Sequence, residues 1–506
     1  MCSCVRSVGN LQFSNSPIIH SAAELFAYEM EDEVARKIWF RHWPQHLAAF
    51  LAAQSTTCAG AVLGWTSPVL PTLRDVTPEQ ASWVASLTPL GALLGAALAG
   101  WLADALGRKR AILATALPFF AGSLLTAVSR SALVLYCARF ISGLAIGVAT
   151  TVVPMYSEEV AEPKLRGALG VYLEITLNVG ILWSYVAGYA VSYVWFTATS
   201  TLLPVIFFFS FLWMPESPVY LMSTGREEDA ERSLRWLRGA KTQQTSSYTT
   251  ELSQLKKTFL TEKDCSVHFK GRLVPRLADF ARNISLSSPT SKACFIIFGL
   301  IFFQQAGGID AVTFYVVSIL QDAGTVVSPF ASGAIVGVIQ LLASGVSFLT
   351  VDRLGRRVLL LTSLVSMCLS HFLLSLNFAL KETLVDSKFY SWMPLFSMCV
   401  YFVTFSLGLG PLPWLMMAEL APTESKEAIG SVAITFSWTL AFVVSKFFGS
   451  MFELIGSLLT YALFSGMCLL GTIFVAFFVP ETKGKTREEI EKYFSKDPNI
   501  KTLTIL

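Results

Sequence analysis

The chain has 506 residues, 53% of them hydrophobic and only 14% charged, a balance too apolar for a soluble protein of this length, so lipid must replace water around much of it. A formal net charge of +3, with no basic run interleaved with aromatics, excludes a nucleic-acid surface. The nine cysteines are scattered, with Cys2 and Cys4 in the amino-terminal tail, Cys265 in a polar loop and the rest in or beside apolar stretches, so neither a disulfide framework nor a zinc site is expected.

Residues 1–45 are mixed polar and lack the apolar core of a cleavable signal peptide, which reads as a cytoplasmic tail; Cys2 and Cys4 beside Arg6 form only a weak acylation pattern. Crossing a hydrocarbon layer of about 30 Å takes roughly 20 helical residues. Apolar segments of that order fall near 46–70, 81–103, 111–129, 132–157, 168–191, 193–214, 293–321, 329–350, 358–380, 390–417, 429–452 and 456–479. The expected fold is therefore an all-α membrane protein of twelve transmembrane helices in two six-helix halves, 46–214 and 293–479. A polar cytoplasmic insert, 215–292, separates the halves, and a tail, 480–506, follows.

Lysine and arginine collect in alternate connections, at Arg36, Lys37 and Arg41, at Arg108, Lys109 and Arg110, at Lys164 and Arg166, and again at Arg353, Arg356 and Arg357. That bias predicts a multi-pass protein, of the plasma membrane by expectation, with both termini in the cytoplasm. Within the insert, Ala230, Leu234 and Leu237 lie at helical spacing in the run Arg226–Arg238, predicting short helices on the cytoplasmic face, while the Thr- and Ser-rich stretch Thr242–Thr250 leaves a linker without packed structure as the alternative. Asn283-Ile-Ser285 has the form of a glycosylation acceptor, yet this topology puts it in the cytoplasm.

Three patterns occur once in each half, in the same order and at nearly constant separation. Asp104-x-x-Gly107-Arg108 returns as Asp352-x-x-Gly355-Arg356, Glu159 with Arg166 as Glu419 with Lys426, and Pro215-Glu216-Ser217 as Pro480-Glu481-Thr482. Duplication of a six-helix unit places a solute site between the halves near the midplane. Topology-setting charge explains the basic members but not the repeated acids. Asp104, Arg108, Glu159, Arg166, Asp352, Arg356, Glu419 and Lys426 thus read as a cytoplasmic gate of ion pairs, between helices and between halves, that opens when the halves rock.

On span four, Arg139, Gly143 and Gly147 recur every four residues; the glycines permit close helix approach, and Arg139 must find an internal partner or the interface. The candidates for solute contact are intramembrane polar and aromatic groups: Gln304, Gln305, Asp310 and Tyr315 in span seven, Gln340 in span eight, Trp414 in span ten, Trp438 in span eleven, and Glu174 and Asn178 in span five. Amides offer donors and acceptors to a ring of hydroxyls, and indole faces cover its C–H surface. The alternative for each amide is simple glue between helices. On a continuous helix Asp310 points away from Gln304 and Gln305; Gly307-Gly308, and Gly410-Pro411-Leu412-Pro413 before Trp414, predict breaks that re-aim these groups.

These strings, with Gly64-Trp65-Thr66-Ser67-Pro68, Pro154-Met155-Tyr156-Ser157-Glu158-Glu159, Gln304 through Asp310 and Val479-Pro480-Glu481-Thr482-Lys483, resemble the sugar porter family of the major facilitator superfamily over about Leu47 to Tyr493. Within it the likeness is to insect facilitated trehalose transporter-like proteins. The resemblance implies that Gln304, Gln305, Asp310, Gln340 and Trp414 line the sugar site with Trp438 nearby. It also implies facilitated diffusion of a mono- or disaccharide, without cofactor, metal or covalent chemistry. Against the family pattern, Asp310 stands for an asparagine, Gly307 for a serine, Glu174 for a neutral residue and Lys426-Glu427 for Arg-Gly. Glu174 or Asp310 makes proton-coupled sugar or polyol symport the alternative, although span one lacks the intramembrane Asp of the family's symporters; a non-transporting sensor is a third reading. No nucleophile–base constellation suggests an enzyme, and the expected partners are the solute and the bilayer, with protons in the symport reading and no obligate protein partner.

Overall fold

A computed structural model describes residues 17–73, 76–128, 131–239, 248, 251–257, 289–381, 388–422, 425–485 and 489, with side chains from His42 onward except at 289, 348, 352, 388, 389 and 427. Among these residues the regular structure is helical throughout. The first half comprises α1 (Pro17–Val69), α2 (Pro78–Leu106), α3 (Arg108–Val128), α4 (Ala132–Val160), α5 (Arg166–Ala190) and α6 (Tyr193–Phe211). The second comprises α7 (Thr290–Ala323), α8 (Pro329–Leu354), α9 (Arg356–Leu380), α10 (Tyr390–Leu420), α11 (426–455) and α12 (457–478), the last two meeting at Gly456, whose φ of 78° turns the chain. Each of the twelve apolar segments read from the sequence coincides with one of these helices. Between the halves, short helices at Pro218–Ser223 and Glu227–Leu237 stand where the insert's periodicity placed them, the second burying Ala230, Leu234 and Leu237. The stretch Thr242–Thr250 apart from Tyr248, Asn283-Ile-Ser285, Cys2, Cys4 and Cys265 lie outside the described residues.

Helix ends follow from local chemistry. Thr77 and Gln80 form a reciprocal capping box ahead of Pro78, starting α2. α2 gives way to α3, and α8 to α9, at Gly107 and Gly355, with φ of 95° and 92°, values that favour glycine. The end of the bundle bearing Arg108 and Arg356 is the basic end; the other is the far end.

Small residues set the close helix pairs. A Cβ on Gly143 would land on the Thr88 carbonyl and one on Gly147 on the Ala92 carbonyl, which is why α4 seats so closely on α2. Arg139 finds its internal partners beside that contact: it donates to the Val62 carbonyl and Thr66 Oγ1, both at 2.6 Å, and to the Val84 carbonyl at 3.2 Å, and lies over the Trp65 ring. Those bonds tie α4 to α1 and α2 in a medium that offers no water. Each half has its own core, rich in alanine in the first and in aromatics such as Tyr401, Phe402, Tyr461 and Phe464 in the second. Leu117, Leu133, Leu454 and Phe477 face outward, largely exposed, as a surface solvated by lipid requires. The halves meet through α2 against α11, α5 against α8, and α1 against the second segment of α7.

Candidate solute site and gates

Two broken helices shape the centre. α7 is interrupted between Ala306 and Ile309, where Gly308 takes φ of 84°. The Gly307 carbonyl is held instead by Tyr401 Oη at 3.0 Å and His371 Nε2 at 3.1 Å, two donors from buried side chains that fix the break. In α10 a π turn at Phe405–Leu409 precedes Gly410-Pro411, and regular helix resumes at Leu412. Gln304 Nε2 donates to the carbonyls of Leu409 and Gly410, both at 2.8 Å, so one side chain ties the two breaks together. Both interruptions expected from the glycines and prolines are present.

The remaining amides follow the same division of labour. Gln305 Nε2 donates to Ser437 Oγ on α11 at 3.0 Å, and Gln340 Nε2 donates to Asn178 Oδ1 at 2.9 Å. Asn178 Nδ2 donates to Ser344 Oγ at 2.8 Å and to Glu174 Oε1 at 3.1 Å, joining α5 to α8 across the two halves. The nitrogens of the three glutamines thus serve as helix glue, while their oxygens do not. Among the described residues Gln304 Oε1, Gln305 Oε1, Gln340 Oε1 and Asp310 Oδ2 are all buried without a hydrogen-bond partner, as is Tyr315 Oη. Each such acceptor costs about 1–3 kcal/mol to desolvate and leave unpaired. Gln304, Gln305 and Gln340 thus each keep an acceptor unpaired while their donors are committed, chemistry that suits a partner bearing O–H groups. Trp414 and Trp438 are half-buried, Trp414 packed on the second core and Trp438 on the first. Hydrogen bonds therefore link Gln304 to α10, Gln305 to α11, and Glu174, Asn178 and Gln340 to one another. Asp310 and Tyr315 contribute unpartnered oxygens from the second segment of α7.

At the basic end, Arg108 Nε donates to Glu159 at 3.0 Å and Arg108 Nη1 to the exposed Asp104 at 3.2 Å, while Arg356 Nη2 donates to Glu419 at 3.2 Å. Each pair joins residues of the same half, two in the first and one in the second. Arg166 is exposed and Lys426 half-buried, and neither has an ion-pair partner among the described residues; the Asp352 side chain lies outside them. Ion pairing between the halves, expected as part of the gate, is absent among the described residues in this conformation. The repeated Pro-Glu-Ser/Thr strings carry a role that the sequence reading noticed but did not assign. Glu216 accepts from the Lys109 backbone N–H at 2.8 Å, and Glu481 from those of Arg356 and Arg357 at 3.0 and 3.1 Å, so each carboxylate caps the helix that follows a hinge glycine. Burial would raise the Glu481 pKa, but backbone N–H bonds from Lys483, Arg356, Arg357 and Thr482 hold it below the usual range.

The far end is closed by residues the sequence reading passed over. Lys446 on α11 donates to Ser82 Oγ at 2.8 Å and lies 4.0 Å from the centre of the Trp83 ring on α2. Ser67 Oγ accepts from the Val317 backbone N–H at 3.1 Å, and Tyr185 Oη donates to the Thr313 carbonyl at 2.8 Å. A lone lysine inside an apolar helix was the available signal for Lys446; nothing in the pattern marked Ser82 or Tyr185. Toward the basic end, by contrast, Gly167, Gly170 and Gly345 face open space.

A twelve-helix bundle of two repeated halves with a polar centre defines a major facilitator-type carrier fold. A model of the Sugar (and other) transporter family matches residues 44–494, and the chain belongs to that family. It is 36% identical over 462 residues to the facilitated trehalose transporter Tret1 of Apis mellifera ligustica, covering 90% of this chain and 89% of that protein. It is 37% identical over 464 residues to the Tret1 of Drosophila mojavensis, covering 89% of this chain but only 51% of that longer protein, so the chain spans about half the length of such relatives. Among solved structures it resembles the proton:xylose symporter XylE bound to 6-bromo-6-deoxy-D-glucose, at a TM-score of 0.68 and 23% identity, covering 88% of this chain and 99% of that one. A likeness at that identity carries the fold alone.

Proposed function

We propose that the chain carries a mono- or disaccharide across a membrane by alternating access as a facilitative uniporter, and that the conformation described is its inward-facing state. The observation that carries this reading is the set of unpartnered acceptor oxygens on Gln304, Gln305, Gln340 and Asp310 in the interior of the second half, which is fastened to the first at the midplane and the far end. Arginines and lysines of the even-numbered connections make the basic end cytoplasmic, which puts both termini inside and the Lys446–Ser82 closure outside. Opening outward then requires that closure to part and the two basic ends to approach, where Arg166 and Lys426 are free to engage. Glucose- or trehalose-like sugars are the solutes in view, since the relatives named above are trehalose transporters.

The test is uptake of radiolabelled glucose and trehalose into proteoliposomes without a pH gradient. Uptake is expected, slowed by about ten-fold or more in Gln305→Ala or Trp414→Ala, the scale of one lost hydrogen-bonding or stacking contact. One observation favours a second reading: Asp310 leaves a carboxylate oxygen unpaired inside the membrane, as a proton site would. Uptake that requires inward proton flow and collapses in Asp310→Asn would replace uniport with symport. Folded protein that moves no sugar under either condition would end the carrier assignment.

A further inference from the structure

A cavity of about 530 Å³ opens at the basic end, outside the solute path, between the α2–α3 turn, the chain leaving α6 and the two short insert helices. Its walls divide by chemistry. Leu106, Leu113, Leu212 and Trp213, at the ends of α2, α3 and α6, supply an apolar side, and Trp213 is 82% exposed. Lys109, Arg110, Arg226 and Arg232 supply the other side.

The charges in it do not cancel. Glu216 is engaged by the backbone of Lys109 and Ser217. Asp229 accepts from Arg226 at 2.7 Å and also from Arg232, one carboxylate shared by two guanidinium groups. Lys109 interacts electrostatically with Glu216 without a direct side-chain bond, and Arg110 has no hydrogen-bond or ion-pair partner among the described residues, so four cations face two carboxylates. A free anion would need only the basic wall. An apolar wall adjoining a basic one, at the height where a bilayer changes from acyl chain to headgroup, fits an amphiphile whose phosphate lies on the cations and whose chains pass along Leu113 and Leu212. An exposed tryptophan at that height is the usual interfacial anchor.

We infer that this cavity binds an anionic phospholipid of the cytoplasmic leaflet, its phosphate held by Lys109, Arg110, Arg226 and Arg232. The site borders the Glu216 cap and Tyr220, whose ring lies under Arg108, so its occupant touches the residues that hold the first-half ion pairs.

The full chain is placed in nanodiscs of phosphatidylcholine containing a minor fraction of phosphatidylserine, and the lipids retained after detergent extraction are counted by native mass spectrometry. Phosphatidylserine is expected to be enriched roughly ten-fold over its share of the bilayer, the order given by one or two unneutralised cations at a membrane surface. The preference should fall as salt is raised. Lys109→Ala with Arg110→Ala should remove most of it, and Arg235→Ala, on the same helix as Arg232 but outside the cavity, should not. Should the double variant fail to give a monodisperse protein, Arg232→Glu replaces it, since that side chain is 73% exposed and tolerates substitution. No enrichment in the unmodified protein would overturn the proposal, as would enrichment untouched by the cavity variants. Glycerophosphoserine displacing the lipid at equal concentration would reduce the site to one for a free phosphate ester and overturn the lipid assignment.

Discussion

At the basic end of the first half, Glu159 accepts from Arg108 at 3.0 Å through one oxygen and from the Ser217 hydroxyl through the other. At the matching place in the second half, Glu419 accepts from Arg356 at 3.2 Å, but Glu419 Oε2 and Thr482 Oγ1 are both buried without partners among the described residues. The capping carboxylates, Glu216 and Glu481, and the hinge glycines are alike in the two halves. Duplication has therefore kept the turn and its cap in both halves, while the hydroxyl–carboxylate bond is closed in only one. The half with the open bond is also the half in which α7 and α10 are broken near the centre.

The largest difference should come from the arginines. Arg108→Ala strands Glu159, which is only 16% exposed and already shares its second oxygen with Ser217; Arg356→Ala strands Glu419, 23% exposed and half-paired from the outset. Losses of about 3 and about 1 kcal/mol are expected, because removing one partner of a buried ion pair leaves an uncompensated charge. Thermal unfolding of the two variants in the same detergent measures the gap, and equal shifts would mean that the two ion pairs are energetically equivalent.

Much of this was legible in the sequence, for reasons that differ by residue. Length and hydropathy fix a membrane helix because lipid offers no alternative for the backbone, so all twelve were found. Gly307-Gly308 and Gly410-Pro411 announced the two breaks because those residues cannot hold a regular ladder, and Gln304, Gln305 and Gln340 were conspicuous as amides in an apolar setting. Which end of each amide is committed to protein was not legible, since that depends on the Leu409 and Gly410 carbonyls, Ser437 and Asn178 arriving from other helices. His371 and Tyr401 were missed for the same reason: their target is a carbonyl freed by a break more than fifty residues away. The ion pairs were visible as types, but whether they join within or between halves belongs to the conformation.

The next contrast is between Ser217 and Thr482. Ser217→Ala removes a bond to Glu159 and the cap that its oxygen gives the Tyr220 backbone N–H, a loss of about 1–2 kcal/mol. Thr482→Val replaces a hydroxyl that already lacks a partner, so it should be neutral or slightly stabilising. Equal destabilisation in the same unfolding assay would show that the second-half bond is made in the population that unfolds.

The smallest effect is a pH dependence confined to the second-half cap. Because backbone N–H groups lower the pKa of Glu481 in the folded chain, its stabilising contribution is complete above the ordinary carboxyl value of about 4.3 and disappears as pH falls through the lowered one. Glu481→Gln keeps the shape but removes the charge facing the N-terminus of α9. Its unfolding midpoint should therefore lie below that of the unmodified protein at neutral pH and converge with it in acid, below about pH 4. The half-exposed position of Glu481 keeps the gap to a few tenths of a kcal/mol, since solvent screens a surface charge. A gap that widened toward acid would place the charge in an unfavourable setting and remove the dipole from the account of this turn.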